Sequence, residues 1–438
     1  MKKSLFALAA LGAFASAAHA QSSVTLYGIL DVAVGTVSNQ YGIDPQFPAS
    51  VNPYTATKAT TSTTGMFNGG IQDSRWGLRG SEDLGGGLKA NFQLESGLNV
   101  PTGQLNNAAG ALVAANQSGN AANTVNNAAN SSLDGQLFNR TAWVGLSDSK
   151  LGEIRVGKTY NFIYDTVVAF DPVQAAQLFS PIGFSGTVGG GGGASEKTRL
   201  DNSATYKNKI GPVTVGAQYQ FGTGINGSNT VGSSYGFMLG YETGPFAIQA
   251  NYFNAVDALT AGYAATANTV TLKNQNLSTY MVAAKYKVTP EATVKAGYES
   301  IQVTAATDAL TQAMVPSYFG FSTGGVPATA IANAVSPGVT KTVNVYWLGG
   351  DYQITSALNL SVGYYDVSTP GWAASGADAS SGDISTVSAL LDYSFSKRSD
   401  VYAGIAMNKY NGDYYGLAAN SAISSTNSIY AVGIRHKF

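Results

Sequence analysis

The chain has 438 residues, of which 44% are hydrophobic and only 11% charged, with 52 glycines, 25 tyrosines and no cysteine. Its 24 basic and 25 acidic residues give a net charge of −1, so no general polyanion-binding surface is indicated and nucleic acid is not an expected partner. Without cysteine there are no disulfides, thiolate metal sites or cysteine nucleophiles.

The first element is "MKKSLFALAALGAFASAAHA". Lys2 and Lys3 precede an apolar run from Leu5 to Ala18, which ends in Ala18-His19-Ala20. This is the pattern of a secretory signal peptide over residues 1–20, with cleavage expected after Ala20. Residues 21–438 are then the mature domain, with 22 basic against 25 acidic residues. His436 becomes the only histidine, which leaves no His-rich metal site and a poor basis for a Ser-His-Asp triad. No cofactor or metal is expected, and no Asp/Glu cluster marks a Ca²⁺ site. No later segment holds 18 consecutive apolar residues, so no membrane-spanning helix is predicted. An exported, Gly- and Tyr-rich chain with few charges is either a large secreted β protein or an outer-membrane β-barrel.

From Val24 onward the hydrophobic pattern has a period of two. "SRWGLRG" (74–80) sets Trp76 and Leu78 against Arg75 and Arg79. "LKANFQLES" (88–96) sets Leu88, Ala90, Phe92 and Leu94 against Lys89, Asn91, Gln93 and Glu95. "VTVGAQYQ", "FAIQANY", "ATVKAGYES" and "LNLSVGYY" repeat the alternation at 213–220, 246–252, 292–300 and 358–365, and the apolar face often ends in tyrosine. Tyrosine and tryptophan suit a membrane–water boundary, where an apolar ring and a polar tip are both satisfied. An Arg or Lys at the bilayer midplane costs about 2–4 kcal/mol, so the charged face of each strand is assigned to water inside a closed barrel.

The spacers alternate in length. Short ones fall at 81–86, 147–152, 207–212, 241–245, 287–291, 353–357 and 396–400, and long ones near 38–65, 100–134, 162–196, 222–231, 257–274, 304–339, 369–382 and 411–425. Seven short turns and eight long loops join sixteen strands. The prediction is an all-β, 16-stranded antiparallel transmembrane barrel with short periplasmic turns and long extracellular loops. The stretch at 100–134 is Asn- and Ala-rich and reads as a solvated loop rather than a separate domain. "TVGGGGGASEKT" lacks the G-K-[ST] ending of a phosphate loop, and "NRT" at 139–141 is a chance match to a glycosylation pattern.

Several stretches together carry a family likeness: "SSVTLYGILDVAVG" (22–35), "DSRWGLRGSEDLGGGLKANFQLESG" (73–97), "LFNRTAWVGLS" (137–147), "GEIRVGKTYNFIYD" (152–165), "RLDNSATY" (199–206), "YSFSKRSDVYAG" (393–404) and "YAVGIRHKF" (430–438). They resemble the general diffusion porins of Gram-negative, β-proteobacterial outer membranes. The resemblance implies a homotrimer and a third loop, here 162–196, folded inward to narrow each pore. It implies a basic wall of Arg75, Arg140 and Arg199 facing an acidic loop position, Asp171. The usual second loop carboxylate is replaced by "PVQAAQLF", so positive charge exceeds negative and weak anion preference is expected.

Arg79, Lys89, Glu95 and Arg155 are secondary lumen candidates. Arg79 is expected to answer Glu82 or Asp83, and Arg155 to pair with Glu153. For Arg140 a solvated place at the barrel rim is the alternative. Asp165 is expected to hold a turn where the loop leaves the wall, and the glycines of 188–193 to make the loop's return limb flexible. Tyr430, Val432, Ile434, His436 and Phe438 share one face and resemble the C-terminal signal read by the barrel assembly machinery. The remaining expected partners are outer-membrane lipid, lipopolysaccharide and small hydrophilic solutes. The functions in view are a non-specific diffusion channel, a channel selective for sugars or organic acids, and, least favoured, an outer-membrane barrel enzyme.

Overall fold

The computed structural model describes residues 23–40, 61–105, 137–183, 189–191, 195–222, 229–264, 269–307, 328–333, 337–372, 380–412 and 426–438. The expected signal peptide and residues 106–134 lie outside them. The strand segments run in chain order as β1 (Ser23–Gln40), β2 (Thr61–Asn68), β3 (Arg75–Gly85), β4 (Leu88–Asn99), β5 (Gln104–Leu105), β6 (Thr141–Asp148), β7 (Gly152–Tyr160), β8 (Arg199–Ile210), β9 (Val213–Gln220) and β10 (Ser234–Thr243). They continue as β11 (Phe246–Ala264), β12 (Thr269–Lys287), β13 (Ala292–Ala305), β14 (Ala328–Asn333), β15 (Thr340–Gln353), β16 (Leu358–Trp372), β17 (Ser380–Ser394), β18 (Ser399–Gly412) and β19 (Thr426–Lys437). One helix, α1 (Phe162–Phe170), follows β7.

These segments make sixteen barrel strands. β2 and β3 are two parts of one strand, since both pair with β1. β5 pairs only with the end of β4, and β14 lies parallel to the loop end of β12. Neighbouring strands of the wall are antiparallel, and β1 closes the ring by pairing with β19 from Ile29↔Lys437 to Ser38↔Ser428. Gly28 and Phe438 complete the seam with two reciprocal backbone hydrogen bonds of 3.1 Å. Closure leaves no unpaired edge in lipid, where each lost backbone hydrogen bond would cost several kcal/mol.

Alternation fixes which side of each strand meets lipid. Val24, Leu26, Leu30 and Val34 of β1 are exposed on the outer face, whereas Ile29, Asp31, Ala33 and Val37 are buried inside. Outward tyrosines form two girdles. Tyr219, Tyr235, Tyr252, Tyr280, Tyr298 and Tyr346 lie toward the loop end, and Tyr241, Tyr286, Tyr352 and Tyr393 toward the turn end. Along β10 the two girdles are six residues apart, about 20 Å of strand.

The long connection predicted at 257–274 is shorter than expected. β11 and β12 continue as a ladder past Ala258↔Gln275 to Ala264↔Thr269, beyond a bulge at which Asp257 has φ +49°. Period-two alternation cannot locate this bulge, because the extra residue shifts the pattern.

Candidate pore constriction

The loop after β7 turns into the barrel. Asn161 caps α1, its carboxamide oxygen accepting from the Ile163 N–H at 3.1 Å and from the Gln218 amide at 2.9 Å. The helix buries Phe162, Ile163, Thr166, Val167 and Phe170, an i, i+4 stripe set against the wall, and leaves Val168 exposed. The Thr166 hydroxyl accepts from the amides of Gln249 and Asn251 on β11, the latter at 2.7 Å. At the helix end the Trp347 indole N–H donates to the Phe170 carbonyl at 3.2 Å, and Lys295 Nζ to the Asp171 carbonyl at 3.3 Å. Lys295 is also ion-paired to Asp351 at 2.9 Å.

Asp171 is completely buried at the C-cap of α1. Its carboxylate accepts from the N–H groups of Val173 at 3.3 Å and Ala175 at 2.6 Å, and from the Tyr365 hydroxyl. Gln174 and Ala175 adopt left-handed backbone with φ of 60° and 56°, so the carboxylate holds a strained corner in place. Burial pushes the Asp171 carboxyl above its ordinary range, against the pull of these hydrogen bonds. Burial likewise raises Glu196 against the Ser195 and Thr279 hydroxyls, and pushes the Tyr164 phenol up to about 12.

The return limb packs on the same wall as α1, against β12, β13 and β15. The Gly190 N–H donates to Glu299 Oε2 at 2.7 Å, and Gly189 donates to Ser195 Oγ at 2.7 Å. Gly190 has φ +65°, and a Cβ there would lie 2.3 Å from the Ile182 carbonyl oxygen. Over residues 189–191 the expected flexibility is therefore replaced by close packing: glycine is needed because the chain passes against its own outgoing limb.

Facing the loop are the three predicted arginines. Arg140, at the entry to β6, is 5% exposed and donates from Nε to Glu95 at 2.7 Å, from Nη1 to Asp73 at 3.0 Å and from Nη2 to Tyr160 Oη at 2.8 Å. It is an interior group and not a solvated rim residue. Arg75 Nε lies 3.5 Å from the other oxygen of Glu95, and the Arg75 side chain keeps 19% exposure. Arg199 lies over the Tyr160 ring at 5.0 Å, and Tyr160 stacks on Tyr164 of α1. Tyr27 donates to Glu95 at 3.0 Å. Arg75 and Arg140 thus share Glu95, Arg140 also binds Asp73, and with Arg199 beside Tyr160 these five side chains sum to one positive charge.

A family model described as Gram-negative porin matches residues 7–413. The chain belongs to the Gram-negative porin family. It is 36% identical over 227 residues to an outer membrane porin protein of Bordetella pertussis, covering 52% of this chain and 48% of that one. It is 32% identical over 248 residues to outer membrane porin protein 32 of Delftia acidovorans, covering 56% and 57%. The chain thus spans about half the length of the curated relatives it matches. Among solved structures, an anion-selective porin from Comamonas acidovorans has a TM-score of 0.61 at 19% identity, over 95% of this chain and all of that one. OmpT of Vibrio cholerae, in a trimer form, has a TM-score of 0.58 at 14% identity, covering 95% and 99%. Both likenesses show the fold. With an apolar outer face and two aromatic girdles, this porin is a protein of the Gram-negative outer membrane.

The remaining predicted residues are scattered. Arg79 is exposed inside the barrel with its guanidinium 5.0 Å from the Tyr27 ring centre. It forms no ion pair with Glu82 or Asp83: alternation puts Glu82 on the other face, and Asp83 Oδ1 accepts the Gly85 N–H of the turn at 2.8 Å. Lys89 is exposed at the turn end of β4. Arg155 pairs with Glu153 at 2.6 Å and lies over Trp143 at 4.4 Å, away from the cluster. Asp165 sits in the first turn of α1 instead of in a turn outside it, and burial raises its carboxyl above the ordinary range. Tyr430, Val432, Ile434, His436 and Phe438 are all exposed on the outer face of the seam, and the His436 ring bonds Ser399 Oγ at 2.9 Å.

Sequence reasoning missed Asp73, Tyr160, Lys295, Trp347 and Tyr365. Lys295, Trp347 and Tyr365 lie on inward strand positions, so alternation places them inside, but which element they meet depends on the path of the loop. Tyr160 lies past a bulge at the parity of the outward Ile154 and Val156, and Asp73 precedes β3, so alternation places neither. Helix α1 itself had a signal: Asn161 before an apolar pattern at 162, 163, 166, 167 and 170. Among the described residues no group of three or more His, Asp or Glu is gathered as metal ligands.

Proposed function

We propose that the protein is a water-filled outer-membrane channel for passive diffusion of small hydrophilic solutes and ions, with a weak preference for anions, working as a homotrimer. The observation that carries the reading is the gathering of Arg75, Arg140 and Arg199 around Glu95, Asp73 and Tyr160, with the Arg75 guanidinium partly exposed. The loop opposite adds little negative charge to the lumen, because Asp171 and Glu196 are both buried. A passive pore needs a polar wall, a narrow section and a local field, and excess guanidinium charge lowers the barrier for an anion more than for a cation. The name of the Comamonas acidovorans structure, anion-selective porin, agrees in sign. The form reported for the Vibrio cholerae protein agrees with a trimer.

Purified protein in planar bilayers under a KCl gradient is expected to give stepwise conductance and a reversal potential of the anion-preferring sign. A clear cation preference would overturn the selectivity, and no conductance from folded protein would overturn the channel. Slower gel mobility before heating than after it, consistent with a trimer by mass, checks the assembly.

A further inference from the structure

The strand made of β2 and β3 is broken at residues 69–74. Asn68 faces Val32 and Arg75 faces Ile29, so these six residues occupy a place where β1 spends only two, Leu30 and Asp31. The surplus chain bulges into the barrel, and one buried side chain organises it. Asp31 accepts from the consecutive N–H groups of Gly70 at 3.0 Å, Ile71 at 3.1 Å and Gln72 at 2.7 Å, and from the Tyr402 hydroxyl. Its backbone is bound as well: the Asp31 carbonyl accepts from the Gly69 N–H at 2.8 Å and from Ser74 Oγ at 2.9 Å. Tyr402 crosses the barrel floor of this bulge so closely that a Cβ on Gly70 would lie 2.1 Å from its hydroxyl oxygen.

The other side of the bulge carries both halves of the constriction. The carbonyls of Ile71 and Gly70 accept the N–H groups of Gln177 and Leu178, at 3.1 and 3.0 Å, so the tip of the inward loop is tied to it. The next residues hold the arginines: the Asp73 carboxylate binds Arg140, and the Asp73 carbonyl accepts from Arg75 Nη1 at 3.0 Å.

We propose that Asp31, with Tyr402, is a positioning residue for permeation: it fixes the bulge at 69–74 as a ledge that sets the gap between the inward loop and the arginine wall. Neither side chain touches the solute path. A carboxylate is required because three consecutive N–H groups and a hydroxyl converge on it, and an amide in its place would turn one donor toward another donor. This inference rests on the channel reading for its conductance test, but its structural half is read without any channel.

The test compares wild type with Asp31→Asn and Tyr402→Phe, each first shown to assemble by heat-modifiable gel mobility. Amide hydrogen exchange of the peptide containing Gln177 and Leu178 is expected to speed up about tenfold or more in both variants, while wall peptides such as β13 stay protected. Single-channel conductance is expected to rise by roughly half or more, and the anion-to-cation permeability ratio to fall, since Arg140 loses its Asp73 anchor. A residue that merely stabilised the barrel would move wall and loop exchange together and leave the permeability ratio unchanged; that result would overturn the proposal, as would unchanged exchange at 177–178. If Asp31→Asn does not assemble, Tyr402→Phe decides, because it keeps the ring and removes only the hydroxyl. Wild-type protein without conductance would overturn the channel reading, while the exchange result would still decide the ledge.

Discussion

Arg75 and Arg140 bind the same carboxylate and differ in what surrounds them. Arg140 is buried with partners on three of its nitrogens, so Arg140→Gln removes the shortest ion pair of Glu95 and the guanidinium bound to Asp73. Removing one member of a buried ion pair typically costs about 3–5 kcal/mol, and a clear fall in heat-dissociation temperature is expected. Arg75 lies 3.5 Å from Glu95, donates to the Asp73 carbonyl at 3.0 Å and keeps partial access to water. Arg75→Gln should leave thermal stability nearly unchanged while it cancels the cluster's single excess charge, so anion preference should drop toward unity. Glu95→Gln shifts the balance the other way and should increase anion preference. Reversal potentials and melting curves on the three variants check the assignment; equal stability losses for Arg75→Gln and Arg140→Gln would contradict it. Alternation places Arg75 and Glu95 on inward positions, whereas Arg140 precedes β6 and is placed only by the family likeness; the fold separates the buried guanidinium from the partly exposed one.

The inward loop is where reading from sequence runs out. Sixteen strands are legible because alternation and spacer length are local properties, and the seam at Phe438 follows from the same parity. The contacts of α1 are not local: Trp347, Lys295 and Tyr365 meet the loop only after the wall has closed. Asp171 illustrates the gap, for an acidic residue on a pore loop suggests a lumen charge, and here it is spent on a strained corner. Because burial raises its carboxyl above the ordinary 3.8, the folded loop holds the proton more tightly than the unfolded chain. The associated stability is full below about 3.8 and is lost as pH rises through the raised value, so acidification from neutral pH toward about 4 should strengthen the fold through this group. Melting temperature should gain more on acidification in wild type than in Asp171→Asn, the difference between the two profiles being the contribution of this carboxyl. The return limb offers a separate test. Gly190→Ala forces a Cβ into the Ile182 carbonyl at a positive φ, so it should displace the limb and add noise to the open-channel current without loss of the folded barrel.

The whole chain is slightly negative, and the proposed preference is for anions; the two are compatible only if selectivity is local. On the proposed reading the guanidinium cluster acts inside a low-dielectric wall, while acidic groups such as Glu82, Asp83, Glu242 and Glu291 are exposed at or beside turns, where water and salt screen them. The screening length is about 10 Å at 0.1 M salt and about 3 Å at 1 M. At low salt an ion in the narrow section feels the cluster's net charge as a unit. At high salt it feels little beyond the groups it touches. The anion-to-cation permeability ratio should therefore be largest near 0.1 M KCl and decline toward unity near 1 M, with wild type and Arg75→Gln converging at the high end. If the net charge of the chain governed permeation instead, lowering the salt would turn the preference toward cations, and reversal potentials measured across a series of KCl gradients would show that change of sign.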